Sequence, residues 1–195
     1  MARQKSEFVS GLGTGFEIVK ALSDEVNSLG GNDDNLRQII SNRTLRKELA
    51  NLIVGNNAKI YQISVTGDIS ENVRFGNYDW SNSDINDRNF QADERHQCEI
   101  IFKHFDKSMS TDAVLKALDA EGLRPATMSE LLALGIEYPE LQRQFPIVAL
   151  GSVWQSLSGH RYVGYLNGLV SGRGLFLSWV GSGWLGYCRF AAVRK

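Results

Sequence analysis

The chain has 195 residues, of which 43% are hydrophobic and 22% charged, and its formal net charge is −1. This is the composition of a globular protein, and the near-zero charge excludes a molecule drawn as a whole to nucleic acid or to a membrane surface. No apolar run reaches the roughly 20 residues that a membrane-spanning helix needs. The first residues lack the apolar core of a secretory signal, which predicts a cytoplasmic protein and leaves surface display by another route open.

The apolar pattern of residues 1–57 predicts an amino-terminal domain that is a helical hairpin. Apolar residues recur at three- and four-residue steps before and after the pair Gly30-Gly31, which separates the two helices. The glycines at 11, 13 and 15 are interpreted as a flexible leader. The two helices bury little by themselves, so they must pack on each other, on the rest of the chain or on another subunit. The first helix presents Phe16, Val19, Leu22, Val26 and Leu29, and the second presents Leu36, Ile39, Ile40, Leu45, Leu49, Leu52 and Ile53.

Residues 58–195 predict a second domain of the α+β class. Tyr61, Ile63 and Val65 alternate with polar residues, which is typical of a half-buried strand. Residues 67–97 are expected to be irregular, with Tyr78 and Trp80 holding a long loop on the core. A buried strand is expected over 98–105.

Two helices and two further strands are also predicted in this domain, with short strands punctuated by glycine between the last two. The run from Ser110 to Asp112 caps the first helix, and Thr127 with Glu130 three places later fits a capping box for the second. Residues 147–150 form an apolar strand, and 188–195 suit a final strand beside it. Either Phe190 and Ala192 or Arg189 and Ala191 face inward, depending on the register.

Residues 151–188 differ in kind from the rest of the chain. They hold two charged residues, Arg161 and Arg173, together with seven aromatic residues and nine of the 19 glycines. Over residues 173–180, alternation places Leu175, Leu177 and Trp179 on one face of a strand. The other face mixes small, neutral and aromatic side chains, as in antibody paratopes, and it lacks the charges that usually keep an exposed strand soluble. We therefore expect a ligand-binding surface near the carboxyl end.

Three segments resemble a known family: 124–134 (RPATMSELLAL), 145–152 (FPIVALGS) and 188–195 (CRFAAVRK). Together with 76–84 they resemble the C-type-lectin-like variable proteins of diversity-generating retroelements in small-genome bacteria. The resemblance covers about residues 58–195. It implies a C-type-lectin-like fold and a function in which error-prone reverse transcription at template adenines diversifies a surface that recognises varied macromolecules.

The resemblance also implies which positions vary, in a region of about 154–188. The invariant scaffold would be Trp154, Leu175, Leu177, Trp179 and Trp184. The diversified, ligand-contacting positions would be Ser156, Ser158, His160, Tyr162, Asn167, Leu169, Ser171, Gly174, Phe176, Ser178, Val180, Ser182, Leu185 and Tyr187. Calcium-dependent sugar binding is not expected, because residues 151–188 contain no carboxylate.

Enzymatic and metal-binding alternatives rest on few residues. An enzyme of the related formylglycine-generating fold would need Cys98 and Cys188 adjacent in a cleft. His96, Cys98 and His104 share one strand parity, but no fourth metal ligand is evident. The aspartates at 79, 84 and 87 are interpreted as turn formers. We therefore predict a protein that is not an enzyme and has no cofactor.

The alternative function is that of an adaptor. Arg37, Arg43, Arg46 and Lys47 could contact the phosphates of a nucleic acid or another partner, but Asp33, Asp34 and Glu48 offset their charge. In that case the amino-terminal helices would bind the partner, or a second copy of the chain, while the carboxyl-terminal domain recognises a target. Strong salt dependence of binding by residues 8–55 would favour this alternative.

Overall fold

A computed structural model describes residues 12–53, 59–170 and 172–195 of the chain. They belong to two compact units, divided between residues 57 and 58. Gly11, Gly55 and Ser171, and the side chains of Leu52 and Ile53, lie outside what the structure describes. No helix in the described ranges is both long and apolar enough to cross a lipid bilayer.

The described part of the amino-terminal unit contains three helices rather than the two predicted: α1 (Leu12–Ser28), α2 (Asp33–Ser41) and α3 (Arg43–Ile53). The expectation of a flexible glycine leader is wrong for Gly13 and Gly15, which lie inside α1. The predicted second helix is interrupted at Asn42, whose side-chain oxygen accepts hydrogen bonds from the backbone N–H groups of Thr44 (3.0 Å) and Leu45 (3.1 Å). Asn42 therefore starts a new helix, because an asparagine side chain competes with continued helical pairing.

Over residues 59–170 and 172–195, the carboxyl-terminal unit combines three α-helices with a mixed nine-stranded sheet, which confirms the predicted α+β class. Its strands pair in the order β1-β3-β9-β5-β7-β8-β2, with β4 attached to β9 and β6 attached to β7. In chain order its elements are β1 (Ile60–Val65), α4 (Ile69–Phe75), β2 (Trp80–Ser81), β3 (His96–Lys103), α5 (Thr111–Ala120), β4 (Leu123–Pro125), α6 (Met128–Glu137), β5 (Ile147–Val148), β6 (Trp154–Gln155), β7 (Arg161–Gly168), β8 (Arg173–Trp179) and β9 (Arg189–Arg194).

Several predicted elements are confirmed. The alternation in β1 buries Tyr61, Ile63 and Val65. Ser110 caps α5, and the capping box of Thr127 and Glu130 starts α6. The strand expected over 98–105 begins and ends two residues earlier. The expectation that 67–97 is irregular is wrong over α4, and β2 also falls in this range.

The final strand, β9, lies in the centre of the sheet, parallel to β5 and antiparallel to β3. Phe190 and Ala192 are buried, and so is Ala191 of the alternative set, whereas Arg189 is only half-buried. The alternating residues from 190 to 193 are all buried because both faces of the sheet are covered there. Ala191 and Val193 belong to the first core cluster, which includes the buried leucines of α6. Phe190 and Ala192 belong to the second cluster, which includes residues of α5.

Candidate ligand-binding surface

Three aromatic rings form a row across three neighbouring strands. Phe176 on β8 stacks on Tyr165 of β7, with ring centroids 5.2 Å apart, and on Trp80 of β2, at 4.7 Å. Tyr165 lies directly opposite Phe176 in the sheet register, so these two side chains point to the same face. Trp80 is 46% exposed. We call Trp80, Phe176 and Tyr165 the aromatic row.

The aromatic row lies beside the second core cluster, and its inner member, Tyr165, contacts that cluster. On the same face of β7, Val163 is fully buried in that cluster, and Tyr165 packs against its edge. Burial raises the pKa of the Tyr165 phenol, so this ring stays neutral at physiological pH. The row is thus an uncharged surface with one side fixed on the core and the other reaching solvent.

Gly174 allows the row to pack as it does. A Cβ atom at Gly174 would lie 2.2 Å from Cε2 of Phe176, so the phenylalanine ring covers this glycine. The expectation that Gly174 faces water is therefore wrong, because the neighbouring ring buries it. A larger residue at 174 would displace the Phe176 ring.

Hydrogen bonds fix the strand that carries Trp80. The carboxylate of Asp79 accepts the backbone N–H of Arg173 at 2.7 Å, and the Asp79 N–H donates to the Arg173 carbonyl at 2.9 Å. The Asn82 N–H donates to the Leu175 carbonyl at 3.0 Å. Asp79 therefore holds β2 on the edge of β8 and positions the Trp80 side of the row.

Arg173 points into the protein, away from the aromatic row. Its guanidinium donates to the carbonyls of Gly76 (3.0 Å) and Gly135 (2.9 Å), and its Nε donates to the side chain of the buried Gln142 at 3.3 Å. The Gln142 amide in turn donates to the carbonyls of Asn167 and Gly174, each at 2.9 Å. Arg173, one of the two charged residues in 151–188, thus supports the backbone beneath the aromatic row.

Tyr78 packs beneath Arg173, and no described residue hydrogen-bonds its buried hydroxyl. Burial raises the pKa of Tyr78, so the group stays a neutral phenol. A buried hydroxyl without a partner costs folding free energy.

We therefore expect Tyr78→Phe to raise the free energy of unfolding by about 1 kcal/mol. The ring and its contact with the Arg173 guanidinium, 5.1 Å from the centroid, would be kept. Tyr138→Phe is the matched control: its hydroxyl donates to the Gln62 carbonyl at 3.0 Å, so its loss should be neutral or destabilising. Urea denaturation measures both, and a destabilised Tyr78→Phe variant would contradict this interpretation.

A second aromatic group lies on the opposite face of the sheet. Tyr162 is opposite Trp179 in the register, which places both on the face that also carries Leu175. The Trp154 ring lies 5.7 Å from that of Tyr162, and the His160 ring 5.6 Å from that of Trp179. We call these four residues the hairpin patch. Alternation groups Trp179 with Leu175 and Leu177 as a core-facing set, but Trp179 ends its strand and is 46% exposed, so it does not face the core.

The loop after β8 is tied to the start of α5. Thr111 Oγ1 donates to the Val180 carbonyl at 2.6 Å and accepts from Trp184 Nε1 at 2.9 Å. A groove of about 830 Å³ lies between the two segments, and Arg161, Ser182 and Leu185 are among its lining residues. The loop therefore presents side chains from a fixed backbone.

The fourteen predicted contact positions differ in exposure, and they occupy two faces and a loop rather than one surface. Ser158, His160, Leu169, Ser182, Leu185 and Tyr187 are exposed. Ser156, Tyr162, Asn167, Phe176, Ser178 and Val180 are half-buried. Gly174 is buried, and Ser171 lies outside the described residues. Of the predicted scaffold, Leu175 and Trp184 are buried, and Trp154 and Leu177 pack against the first cluster.

Two members of the aromatic row were missed from the sequence. Tyr165 shares the parity of Asn167, so alternation along β7 could have found it. Trp80 gave no such signal, because its place depends on the parallel pairing of two distant segments, 80–81 and 174–175.

The predicted metal candidates are only partly brought together. His96 and Cys98 approach Glu130, with their ligand atoms within 4.8 Å of one another. His104 does not belong to this group, so its grouping with His96 and Cys98 as a possible metal ligand is wrong. Its Nε2 instead lies 2.6 Å from the Gly186 carbonyl oxygen.

Glu130 is instead the centre of a buried ion-pair network. Its side chain is fully buried and receives both terminal nitrogens of Arg124, at 2.9 and 2.6 Å, and the Thr127 N–H at 2.8 Å. Burial favours the neutral acid, but these donors, with His96, lower the pKa of Glu130 to about 2. Burial, followed by the nearby Glu130 charge, raises the pKa of Cys98 to about 12. A protonated thiol and a carboxylate already paired with arginine make a poor metal donor set.

The two cysteines are free thiols in different surroundings. Cys98 packs against the first core cluster, whereas Cys188 is buried within the second. Burial also raises the pKa of Cys188. The structure therefore gives neither thiol the lowered pKa that a nucleophilic cysteine needs.

Comparisons of the chain with models of known protein families, with curated protein sequences and with solved structures find no match.

Proposed function

We propose that the carboxyl-terminal unit is a non-enzymatic binding protein that recognises macromolecular ligands through the aromatic row, with further contacts from exposed positions elsewhere in residues 156–187. The observation that supports this most is the stack of Trp80, Phe176 and Tyr165 at a solvent-reaching edge of the sheet. Aromatic side chains provide large contact areas with few rotatable bonds, and they often dominate the affinity of protein interfaces. Because neighbouring strands and Asp79 fix the row, little conformational entropy would be lost on binding.

We further propose that this unit has a C-type-lectin-like fold and that a diversity-generating retroelement varies its surface. Segments that resemble the family framework supply much of the core: α6 contributes a run of buried residues from Met128 to Gly135, and β9 is buried from Phe190 to Val193. The exposed predicted positions lie outside these segments. A binding surface could thus change while the core stays constant. A near-copy of the DNA for residues 154–190 beside a reverse transcriptase gene, differing at template adenines, would support the retroelement part.

A pair of libraries tests the binding proposal. The first randomises six exposed positions, and we expect most of its members to fold, because surface changes usually alter stability by less than about 0.5 kcal/mol. The control library randomises three buried positions and should rarely fold, since core truncations cost about 2–5 kcal/mol. The exposed set is Ser158, His160, Leu169, Ser182, Leu185 and Tyr187, and the buried set is Leu166, Leu175 and Trp184.

Selection of the folded library against a test protein then measures recognition. We expect binders whose affinity falls at least about tenfold when Trp80 or Phe176 is changed to alanine, as for interface hot spots. Leu157→Ala is the matched control, because Leu157 is fully exposed on the hairpin tip but lies outside the row. The proposal would be contradicted if both libraries contained the same small fraction of folded members. It would also be contradicted if the affinity of the selected binders did not change when Trp80 or Phe176 is replaced by alanine.

A further inference from the structure

The carboxyl-terminal part of the chain carries charges of one sign. Residues 141–195 contain six basic residues and no aspartate or glutamate. All 22 acidic residues lie in residues 1–140, together with the other 15 basic residues. The predicted contact positions, all between 156 and 187, therefore lie in a segment whose own charged side chains are all positive.

Three of the six basic side chains are already engaged. The Arg173 guanidinium binds backbone carbonyls inside the protein. Arg143 pairs with Glu140 at 3.0 Å. Lys195 pairs with Asp119. The other three form no ion pair with a residue that the structure describes: Arg161, Arg189 and Arg194.

Two of these arginines line grooves beside the loop that joins β8 to β9. Arg161 lines the groove of about 830 Å³, together with residues 180–185 of the loop. Arg189 lines a second groove, of about 410 Å³, together with Tyr187 of the same loop. Both volumes are typical of ligand-binding clefts. Arg194 lies at the other end of β9, beside β4, and lines neither groove.

Both grooves present a guanidinium to a ligand. Arg161 is exposed. Arg189 is half-buried, and its guanidinium lies 5.0 Å from the centroid of the Phe145 ring and donates to the Tyr187 carbonyl at 3.3 Å. These contacts hold the Arg189 guanidinium at the groove. The planar fork of N–H groups on a guanidinium matches the two oxygens of a carboxylate.

Each groove also has one aspartate, on the wall that comes from residues 104–112. Asp112 lies in the first turn of α5, where the helix dipole stabilises a carboxylate. Asp106 lies 3.9 Å from Nε2 of His104. The closely spaced phosphates of a nucleic acid would meet both aspartates and be repelled. A protein segment can instead place single carboxylates at the arginines and neutral or basic side chains at the aspartates.

We propose that the loop between β8 and β9 is a docking site for acidic protein segments, whose carboxylates bind Arg161 and Arg189. This proposal rests on the proposed binding function and adds a ligand class to it. Neither arginine is among the positions predicted to vary. Ser182 and Leu185, which are predicted to vary, line the first groove, and Tyr187 lines the second. Every variant would therefore share a preference for acidic targets, while the neighbouring side chains select among them.

Selection against three targets tests the ligand class. The library randomised at the six exposed positions is selected at equal concentrations of an acidic protein, a basic protein of similar size and a DNA duplex. We expect at least about ten times more binders to the acidic protein than to the basic one, because the fixed arginines repel the latter. Equal numbers for the two proteins, or more binders to the duplex than to the acidic protein, would overturn this proposal alone. A folded library without binders to any target would contradict the binding function as well.

Single substitutions test the two grooves. In binders to the acidic protein, Arg161→Met and Arg189→Met should each lower the affinity at least about tenfold. Arg161→Lys keeps the charge without the planar fork, so it should retain only part of the affinity. The matched control is Arg194→Met, which removes the same charge away from both grooves and should change the affinity less than about twofold, because salt screens distant exposed charges. Titration calorimetry measures the affinities, and circular dichroism checks folding. A loss for Arg194→Met equal to the other two would show that net charge, not this docking site, attracts the ligand.

Discussion

Replacing Arg124 by methionine is expected to lower the free energy of unfolding by about 3–5 kcal/mol. Arg124 supplies two hydrogen bonds to the fully buried Glu130, which also closes the capping box of α6. Without the guanidinium, Glu130 must either stay charged in the core or take up a proton. Both outcomes cost free energy at neutral pH.

The matched control is Lys103→Met, which removes an ion pair with Glu121 whose N–O distance is also 2.6 Å. Lys103 and Glu121 keep contact with water, so this loss should cost about 0–1 kcal/mol. Urea denaturation at pH 7 measures both variants. Equal costs would show that burial of Glu130 does not determine the effect.

The pH dependence gives a second readout. In the wild-type protein the pKa of Glu130 is lowered from 4.5 to about 2, so its stabilising contribution is present above pH 4.5 and is lost as the pH falls toward 2. In the Arg124→Met variant, burial without the guanidinium should raise the pKa of Glu130 above its ordinary value. Glu130 is then already protonated in the folded variant, so lowering the pH from 4.5 to 2 removes no stability through this residue. The difference in free energy of unfolding between the wild-type protein and the Arg124→Met variant should therefore be smaller at pH 3 than at pH 7. A difference that stays constant would contradict the ion-pair assignment.

Local signals in the sequence predicted much of the carboxyl-terminal fold. Alternation identified β1, and capping residues fixed the starts of α5 and α6, because each signal lies within a few residues of the element that it specifies. The helix α4 was missed, since seven residues give too few turns for periodicity to appear within a polar stretch. The break at Asn42 was missed because the apolar residues on its two sides keep a helical spacing.

The binding surface was less predictable than the fold, because it depends on pairings between distant segments. The β7–β8 register separates Tyr162 from Phe176 onto opposite faces, although both had been assigned to one surface. The parallel pairing of β2 with β8 brings Trp80 into the aromatic row from about 95 residues away in sequence. Alternation within one strand cannot show either relationship. It also cannot tell a central position from a strand end, as Trp179 demonstrates.

Trp184→Ala is expected to cost about 3–5 kcal/mol of the free energy of unfolding. Trp184 is 6% exposed, packs edge-on against Phe190 with ring centroids 6.0 Å apart, and donates from its indole to Thr111. Its removal leaves a large cavity in the second core cluster and releases the loop after β8 from the start of α5. Both effects destabilise the folded state.

Trp179→Ala makes the same chemical change at an exposed site and should cost less than about 1 kcal/mol. The sequence assigns both residues to one invariant scaffold, but Trp179 is 46% exposed and its ring meets that of His160, itself exposed, edge-on at 5.6 Å. Denaturation followed by far-UV circular dichroism compares the variants without relying on tryptophan fluorescence. A large cost for Trp184→Ala with a small cost for Trp179→Ala would place Trp179 among the replaceable surface residues. Similar costs would mean that the hairpin patch is part of the core and unavailable for diversification.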